Sequence, residues 1–283
     1  MFYVMKVISI ITNNPIFVEL QYKSLKKYLH IDYEYIVFND GKYWPDSTNF
    51  GNPIENGKIA IENKCKEFDI KYYNLPNEHH KIYDEPSVRH SDSLKLLVSY
   101  MKGNIDEYLI LDGDMFLIDD LNIEKYREKM CVCVLQERPN IKYIWPNLFY
   151  INMNKIKYID DFNLHSLGIN YDTGSSSYKW LQKYYSSYPN VRDIIYSNRG
   201  YENDDFYFIK HLWSCSWSED EFPENLKTKE SIIKYIKEDE RNENGKYFVE
   251  IYDNCIFHYR GGTWLGLNNI ELHKKLLNKL KLI

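Results

Sequence analysis

The first half of the chain alternates short apolar runs with helical stretches, and this alternation constrains the fold more than any other feature. Val4 to Thr12 reads as a buried strand, Val18 to Leu29 as a helix, and Tyr35 to Phe38 as a second strand. Lys58 to Phe68 follows as a helix, Ile70 to Asn74 as a strand, Ser87 to Lys102 as a helix, and Tyr108 to Leu111 as a short apolar strand. Strands separated by helices predict an α/β fold with a Rossmann-type, mostly parallel sheet flanked by helices. Ligands of such sheets sit beyond the carboxyl ends of the strands. The second half is less regular. Met130 to Leu135, Leu148 to Met153, Tyr247 to Tyr252 and Cys255 to Tyr259 read as strands. Ser175 to Tyr188, Ser231 to Lys237 and Ile270 to Leu282 read as helices, and Glu238 to Gly245 as an exposed polar loop. No sequence break divides the 283 residues, which reads as one domain over 1–283.

Composition removes several function classes. The chain carries 36 Lys and Arg against 41 Asp and Glu, a net charge of −5. A basic face for nucleic acid is therefore not expected. No apolar run approaches the roughly 20 residues of a membrane span. The closing helix, with Lys274, Lys275, Lys279 and Lys281, reads as a docked helix with a solvated lysine face. Weak peripheral membrane association is the alternative reading of the same pattern. Five scattered cysteines without a Cys-X-X-Cys pair read as buried free thiols in a reducing cytoplasm.

The chemistry concentrates where the strand Tyr108-Leu109-Ile110-Leu111 runs into Asp112-Gly113-Asp114. Such a strand delivers two carboxylates, one residue apart, to the edge where ligands bind. Gly between them permits a tight turn and close approach of a ligand. Without a cation the two acids repel and favour protonation. With Mn²⁺ or Mg²⁺ they stay ionised and leave coordination positions open for phosphate oxygens.

A strand ending in Asp-X-Asp after several strand–helix units resembles the nucleotide-sugar-dependent glycosyltransferases of the GT-A fold. The resemblance implies a nucleotide-binding half over about 1–120 and an acceptor-binding half over 121–283. It also implies Asp112 and Asp114 as ligands of a divalent metal on the donor diphosphate, with Gly113 beside it. By the same resemblance Thr12, Asn13 and Asp40 contact the nucleoside, and Arg89 and Lys95, with His90 beside them, face the diphosphate. The segment Phe257-His258-Tyr259-Arg260-Gly261-Gly262-Thr263-Trp264 is similar to the late His-X-X-Gly segment of the glycogenin-like and lipopolysaccharide galactosyltransferase-like families. This implies His258 as the third metal ligand, favouring Mn²⁺, and Gly261 and Gly262 as close-approach positions. Those families carry a Lys where this chain has Trp264, so Arg260 would supply the charge and Trp264 a sugar-stacking face.

The segment Gly200-Tyr201-Glu202-Asn203-Asp204-Asp205-Phe206 resembles the acceptor-side Gly-X-Glu-Asp/Asn segment, implying Glu202, Asp204 and Asp205 as candidate catalytic acids. Asn203 stands where inverting relatives carry the base, which tilts the reading toward retention. Asp172, in Tyr171-Asp172-Thr173-Gly174, is implied as a contact to sugar hydroxyls. The expected activity is transfer from a nucleotide diphosphate sugar, UDP-linked by resemblance, to a glycan, protein or small-molecule hydroxyl. A haloacid-dehalogenase-like phosphatase also has Asp-X-Asp at a strand end. A non-catalytic sugar or nucleotide binder of the same fold is the third reading.

Overall fold

The computed structural model describes residues 4–12, 14–43, 56–138, 141–168, 170–185, 200–260 and 270–280. Along the first half run β1 (Met5–Ile11), α1 (Pro15–Tyr28), β2 (Tyr33–Asn39), α2 (Gly57–Glu67), β3 (Lys71–Asn74), the short α3 (His79–Ile82), α4 (Pro86–Gly103) and β4 (Glu107–Asp112). The second half contains β5 (Met115–Leu117), α5 (Ile123–Arg127), β6 (Cys131–Arg138), β7 (Ile141–Asn152), α6 (Tyr178–Tyr185), β8 (Tyr201–Glu202), β9 (Phe206–Phe208) and β10 (His211–Leu212). It closes with α7 (Glu230–Lys237), β11 (Glu250–Tyr252), β12 (Ile256–His258) and α8 (Ile270–Leu280).

Eight strands form one sheet in the order β3-β2-β1-β4-β7-β6-β9-β8. The first four are parallel to one another, and β6 and β9 are parallel as well. β7 enters antiparallel between β4 and β6. A second, antiparallel sheet of order β10-β11-β12-β5 branches off directly after β4. The fold is thus α/β, regular and parallel in the first half and mixed in the second.

Alternation along the strands sends neighbours to opposite faces. On one face Val7, Leu109, Leu111 and Val132 pack with Phe17, Val18 and Leu25 of α1, Ile61 of α2, and Ile251 and Ile256 of the small sheet. On the other, Ile8, Ile110, Cys131 and Cys133 pack with Leu94, Leu97 and Met101 of α4 and Trp180 of α6. α1 begins where the Asn14 side chain accepts from the Ile16 amide at 3.1 Å and Pro15 occupies the first turn.

Two expectations change. β7 runs through Trp145-Pro146, which the sequence pattern breaks. It does so because Pro146 to Leu148 bulge away from β6, where Cys133 pairs Phe149 and the next residue, Val134, pairs Trp145. The polar stretch after α7 is not simply exposed. Asp239 and Arg241 are buried there and paired at 2.6 Å, and Arg241 donates to the carbonyls of Tyr259 and Arg260 at 2.9 Å. α8 docks as its pattern predicts: Leu276, Leu277 and Leu280 are buried, Lys279 pairs with Glu238 at 2.8 Å, and Lys275 pairs with Glu240. That apolar side is not available to a membrane. Among the described residues no helix is long and apolar enough to cross one. Four of the five cysteines are buried and all five are free, with Cys215 exposed.

Candidate metal centre

β4 carries Asp112 to the carboxyl edge of the large sheet, and the chain then turns through Gly113 into β5. The turn has little room. A Cβ on Gly113 would lie 3.0 Å from the Ile10 carbonyl oxygen and 3.1 Å from Ile11 Cδ1, so a side chain here would crowd β1. The buried Gln21 of α1 holds the turn from below. Its amide donates to the carbonyls of Asp112 and Met115, both at 2.9 Å, and its oxygen accepts from Ser9 and Tyr35.

The Asp112 carboxylate accepts from the Gly113 amide at 2.8 Å and from Asn147 Nδ2 at 2.5 Å. The β7 bulge explains the second contact: Leu111 pairs Leu148, which sets Asn147 level with Asp112. Burial and the neighbouring Asp114 both push the Asp112 carboxyl above its ordinary pKa, while the charges of His90 and His258 oppose the rise. In the absence of a cation, this is a carboxylate pair under repulsion.

His258 reaches the pair from the other sheet. β12 pairs antiparallel with β5, setting His258 opposite Met115, and the Tyr259 amide donates to the Asp114 carbonyl at 3.0 Å. Across the ring, His258 Nε2 lies 3.1 Å from Asp114 Oδ1, while Nδ1 lies 2.8 Å from Oε2 of Glu250. Glu250 faces His258 in the β11–β12 register and also accepts from the Tyr252 hydroxyl at 2.7 Å. Burial disfavours a charged imidazole, but Asp114 and Glu250 outweigh it and raise the His258 pKa to about 10. Burial alone would raise the pKa of Glu250, and the hydrogen bond from His258 turns the net shift downward. The Arg260 guanidinium stands 3.5 Å from Glu250, with its backbone in the left-handed region at φ 59°.

Ligand atoms of Asp112, Asp114 and His258 all lie within 4.8 Å of one another. Two hard carboxylates and an imidazole whose second nitrogen is held by a buried acid are the donor set of a divalent transition-metal site. These residues fit Mn²⁺.

The remaining sequence candidates divide by position. Thr12 follows β1 at the same edge. Arg89 lies in the first turns of α4, where its Nη1 approaches the Tyr83 carbonyl at 3.4 Å. One residue on, His90 is near enough to act electrostatically on Asp112. Lys95 is exposed, outside the buried face of α4 formed by Leu94, Leu97, Val98 and Met101. Asp172 is at the correct edge, beside the ends of β6 and β7. It contacts Gln136 at 3.5 Å and Arg138 at 3.7 Å, and the following Thr173 hydroxyl donates to the Ser87 carbonyl of α4. Gly174 holds that turn at φ +90°, where a Cβ would lie 2.3 Å from the Ile144 oxygen. Asn13, Gly261, Gly262 and Trp264 lie outside the described residues.

Two expectations need correction. Asp40 is sealed rather than offered to a nucleoside. Its side chain is 3% exposed and is enclosed by His79, His80 and Ser93. Asp204 and Asp205 stand at the opposite edge of the sheet from Asp112, and Glu202 lies on β8, four strands across from β4 and level with Leu109. Cys131 pairs Phe206 on one side and Ile151 on the other, and Asn152 pairs Glu107 at the amino end of β4. The Asp205 carbonyl accepts from Met130 and Cys131 at that end. Five strand residues separate Glu107 from Asp112, or about 17 Å. Segment order in the sequence could not show this, because β7 reverses direction between β4 and β6. The residues that sequence reasoning missed are Glu250, Asn147 and Gln21. None belongs to a motif, and only the β11–β12 register, the bulge and the α1 packing bring them in.

No family model matches the chain, and no curated protein matches it. Similar solved structures include the galactosyltransferase LgtC in complex with donor and acceptor sugar analogues. It is 13% identical with a TM-score of 0.35, over 66% of this chain and 67% of that one. An active-site mutant of LgtC is 12% identical with a TM-score of 0.34, over 65% of this chain and 66% of that one. At these values the likeness carries no argument about fold or activity.

Proposed function

We propose that the chain is a metal-dependent glycosyltransferase of GT-A type that takes its sugar from a nucleotide diphosphate donor, UDP-linked by resemblance. The observation that carries the reading is the convergence of Asp112, Asp114 and His258 at the carboxyl edge of a parallel half-sheet. Mn²⁺ held by these three residues would neutralise charge on the departing diphosphate. The chain's own groups prepare the site. Asn147 and the Gly113 amide orient Asp112, and Glu250 fixes the His258 ring with Nε2 toward Asp114. Arg260 brings positive charge to the same edge, complementary to a diphosphate. Asp172, steadied near Arg138 and Gln136, is proposed to bind sugar hydroxyls of donor or acceptor.

Retention of anomeric configuration is part of the proposal. Of the acids that would serve an inverting enzyme as base, Asp204 and Asp205 are at the far edge and Glu202 is on β8, four strands across from β4. No feature of the site favours a phosphatase: the residues after the acid pair are Met115 and Phe116, both buried in β5.

Transfer is tested by incubating the protein with Mn²⁺, a panel of nucleotide diphosphate sugars and simple glycoside acceptors, and reading the product anomer by NMR. Asp114→Asn is expected to lower transfer at least 1,000-fold with an unchanged circular-dichroism spectrum. Full activity in that variant would remove the assignment.

A further inference from the structure

A second group of potential metal ligands lies on the same edge of the large sheet, one strand beyond β1. Asp40 follows β2, and His79 and His80 open α3. Among the described residues, Asp40, His79 and His80 form one of two such groups, with ligand atoms within 4.8 Å of one another. We propose that Asp40, His79 and His80 form a structural site for a zinc-type divalent cation, separate from the Asp112 centre and independent of the proposed activity.

The geometry is that of a collapsed coordination shell. His79 Nε2 lies 3.1 Å from Asp40 Oδ1 and 3.2 Å from Oδ2, and His80 Nε2 lies 3.2 Å from Oδ2 and 3.0 Å from the Asp40 backbone oxygen, a hydrogen bond that the ion would replace. Ligands about 2.0–2.1 Å from a tetrahedral zinc stand about 3.3 Å from one another, so little movement is needed to admit the ion. Two imidazole nitrogens and one carboxylate oxygen suit zinc, and they leave one formal negative charge to meet the cation. The His79 and His80 side chains are 6% and 3% exposed, which describes a closed structural site rather than a catalytic one.

A second observation points the same way. Asn77 is 1% exposed, and its Oδ1 has no hydrogen-bond partner among the described residues. Its Nδ2 makes only long contacts, 3.4 Å each, to the backbone oxygen and Oδ1 of Asp40. Turning the amide over replaces these contacts with an oxygen donor facing the group, a fourth protein ligand that is unfavourable beside a carboxylate unless a cation lies between them. Ser93 donates to Asp40 Oδ2 at 3.1 Å and orients the carboxylate from behind. The ion would clamp the segment after β3 onto the end of β2. That segment leads through α3 into α4, whose first turns carry Arg89 and His90.

The test is a Co²⁺ titration of chelator-treated protein, read by visible absorption, with Zn²⁺ stoichiometry measured by plasma mass spectrometry. In Asp114→Asn/His258→Gln, which lacks the first centre, one tight equivalent with tetrahedral Co²⁺ bands is expected to remain. In His79→Gln/His80→Gln that equivalent should weaken at least 100-fold. Loss of all tight Co²⁺ binding from a folded Asp114→Asn/His258→Gln protein would overturn the proposal, as would tetrahedral bands surviving in the other variant. Should either variant fail to fold, the wild-type protein decides by NMR. Zn²⁺ must shift the imidazole Nε2 resonances of His79 and His80, and unshifted resonances at saturating Zn²⁺ reject the site.

Discussion

At the residue scale, Glu250 and Asn147 set how the three candidate ligands are presented. Glu250, 3% exposed, accepts from His258 Nδ1, so Nε2 is the nitrogen left to face Asp114. Partners of this kind typically account for 10–100-fold in metal affinity. Glu250→Gln is therefore expected to weaken Mn²⁺ binding by about that factor in a calorimetric titration, with the protein still folded. Protonation supplies a further test. In metal-free protein the His258 pKa is raised from 6.5 to about 10. The imidazolium's contribution to stability is then complete below pH 6.5 and is lost as pH rises through about 10. Mn²⁺ must displace that proton, so its affinity should move the opposite way and increase from pH 6.5 to 8.5. Urea midpoints in chelator and Mn²⁺ titrations at the two pH values check both trends. A pH-independent affinity would mean that His258 is not a ligand.

Between elements, what matters is how the small antiparallel sheet and the loop after α7 are fastened to the large sheet. His258 reaches Asp114 because β12 pairs with β5, which leaves the DGD turn directly. The chain beyond His258 is fastened in turn by Arg241, whose guanidinium lies between Asp239 and the carbonyls of Tyr259 and Arg260 and stacks near Phe248 and Tyr259. Removing one partner of such a buried pair leaves an uncompensated charge, at a cost of about 3–5 kcal/mol. Arg241→Met is expected to lose roughly that much stability in denaturant unfolding and to weaken Mn²⁺ binding as the backbone after His258 loosens. Asp239→Asn/Arg241→Met, with both charges gone, should recover part of the stability.

For the whole molecule, both sheets meet at one edge, and a donor bridging them should stabilise the entire fold. Ligand at 100 times its Kd adds about 2.7 kcal/mol to native-state stability. A nucleotide diphosphate sugar with Mn²⁺ should therefore raise Tm by several degrees, and the same sugar with chelator should not. Much of this architecture was legible in the chain. The strand–helix alternation from Val4 to Asp112 determines a parallel half-sheet, because each apolar run is too short for a helix and needs cover on both faces. It also determines which edge carries Asp112 and Asp114, since a parallel strand has only one carboxyl end. The His258 segment was legible as chemistry but not as a position. Tertiary structure alone decided that Asp204 and Asp205 stand about 17 Å away along the strand direction and that Glu202 lies four strands across from β4, because the direction of β7 follows from long-range pairing and not from local pattern. It also decided that Asp40 faces two histidines rather than solvent, and that Glu250 and Asn147 support the site. Those contacts come from strand register, a bulge and helix packing between segments far apart in the sequence, as His258 and Met115 are, and no local periodicity encodes them.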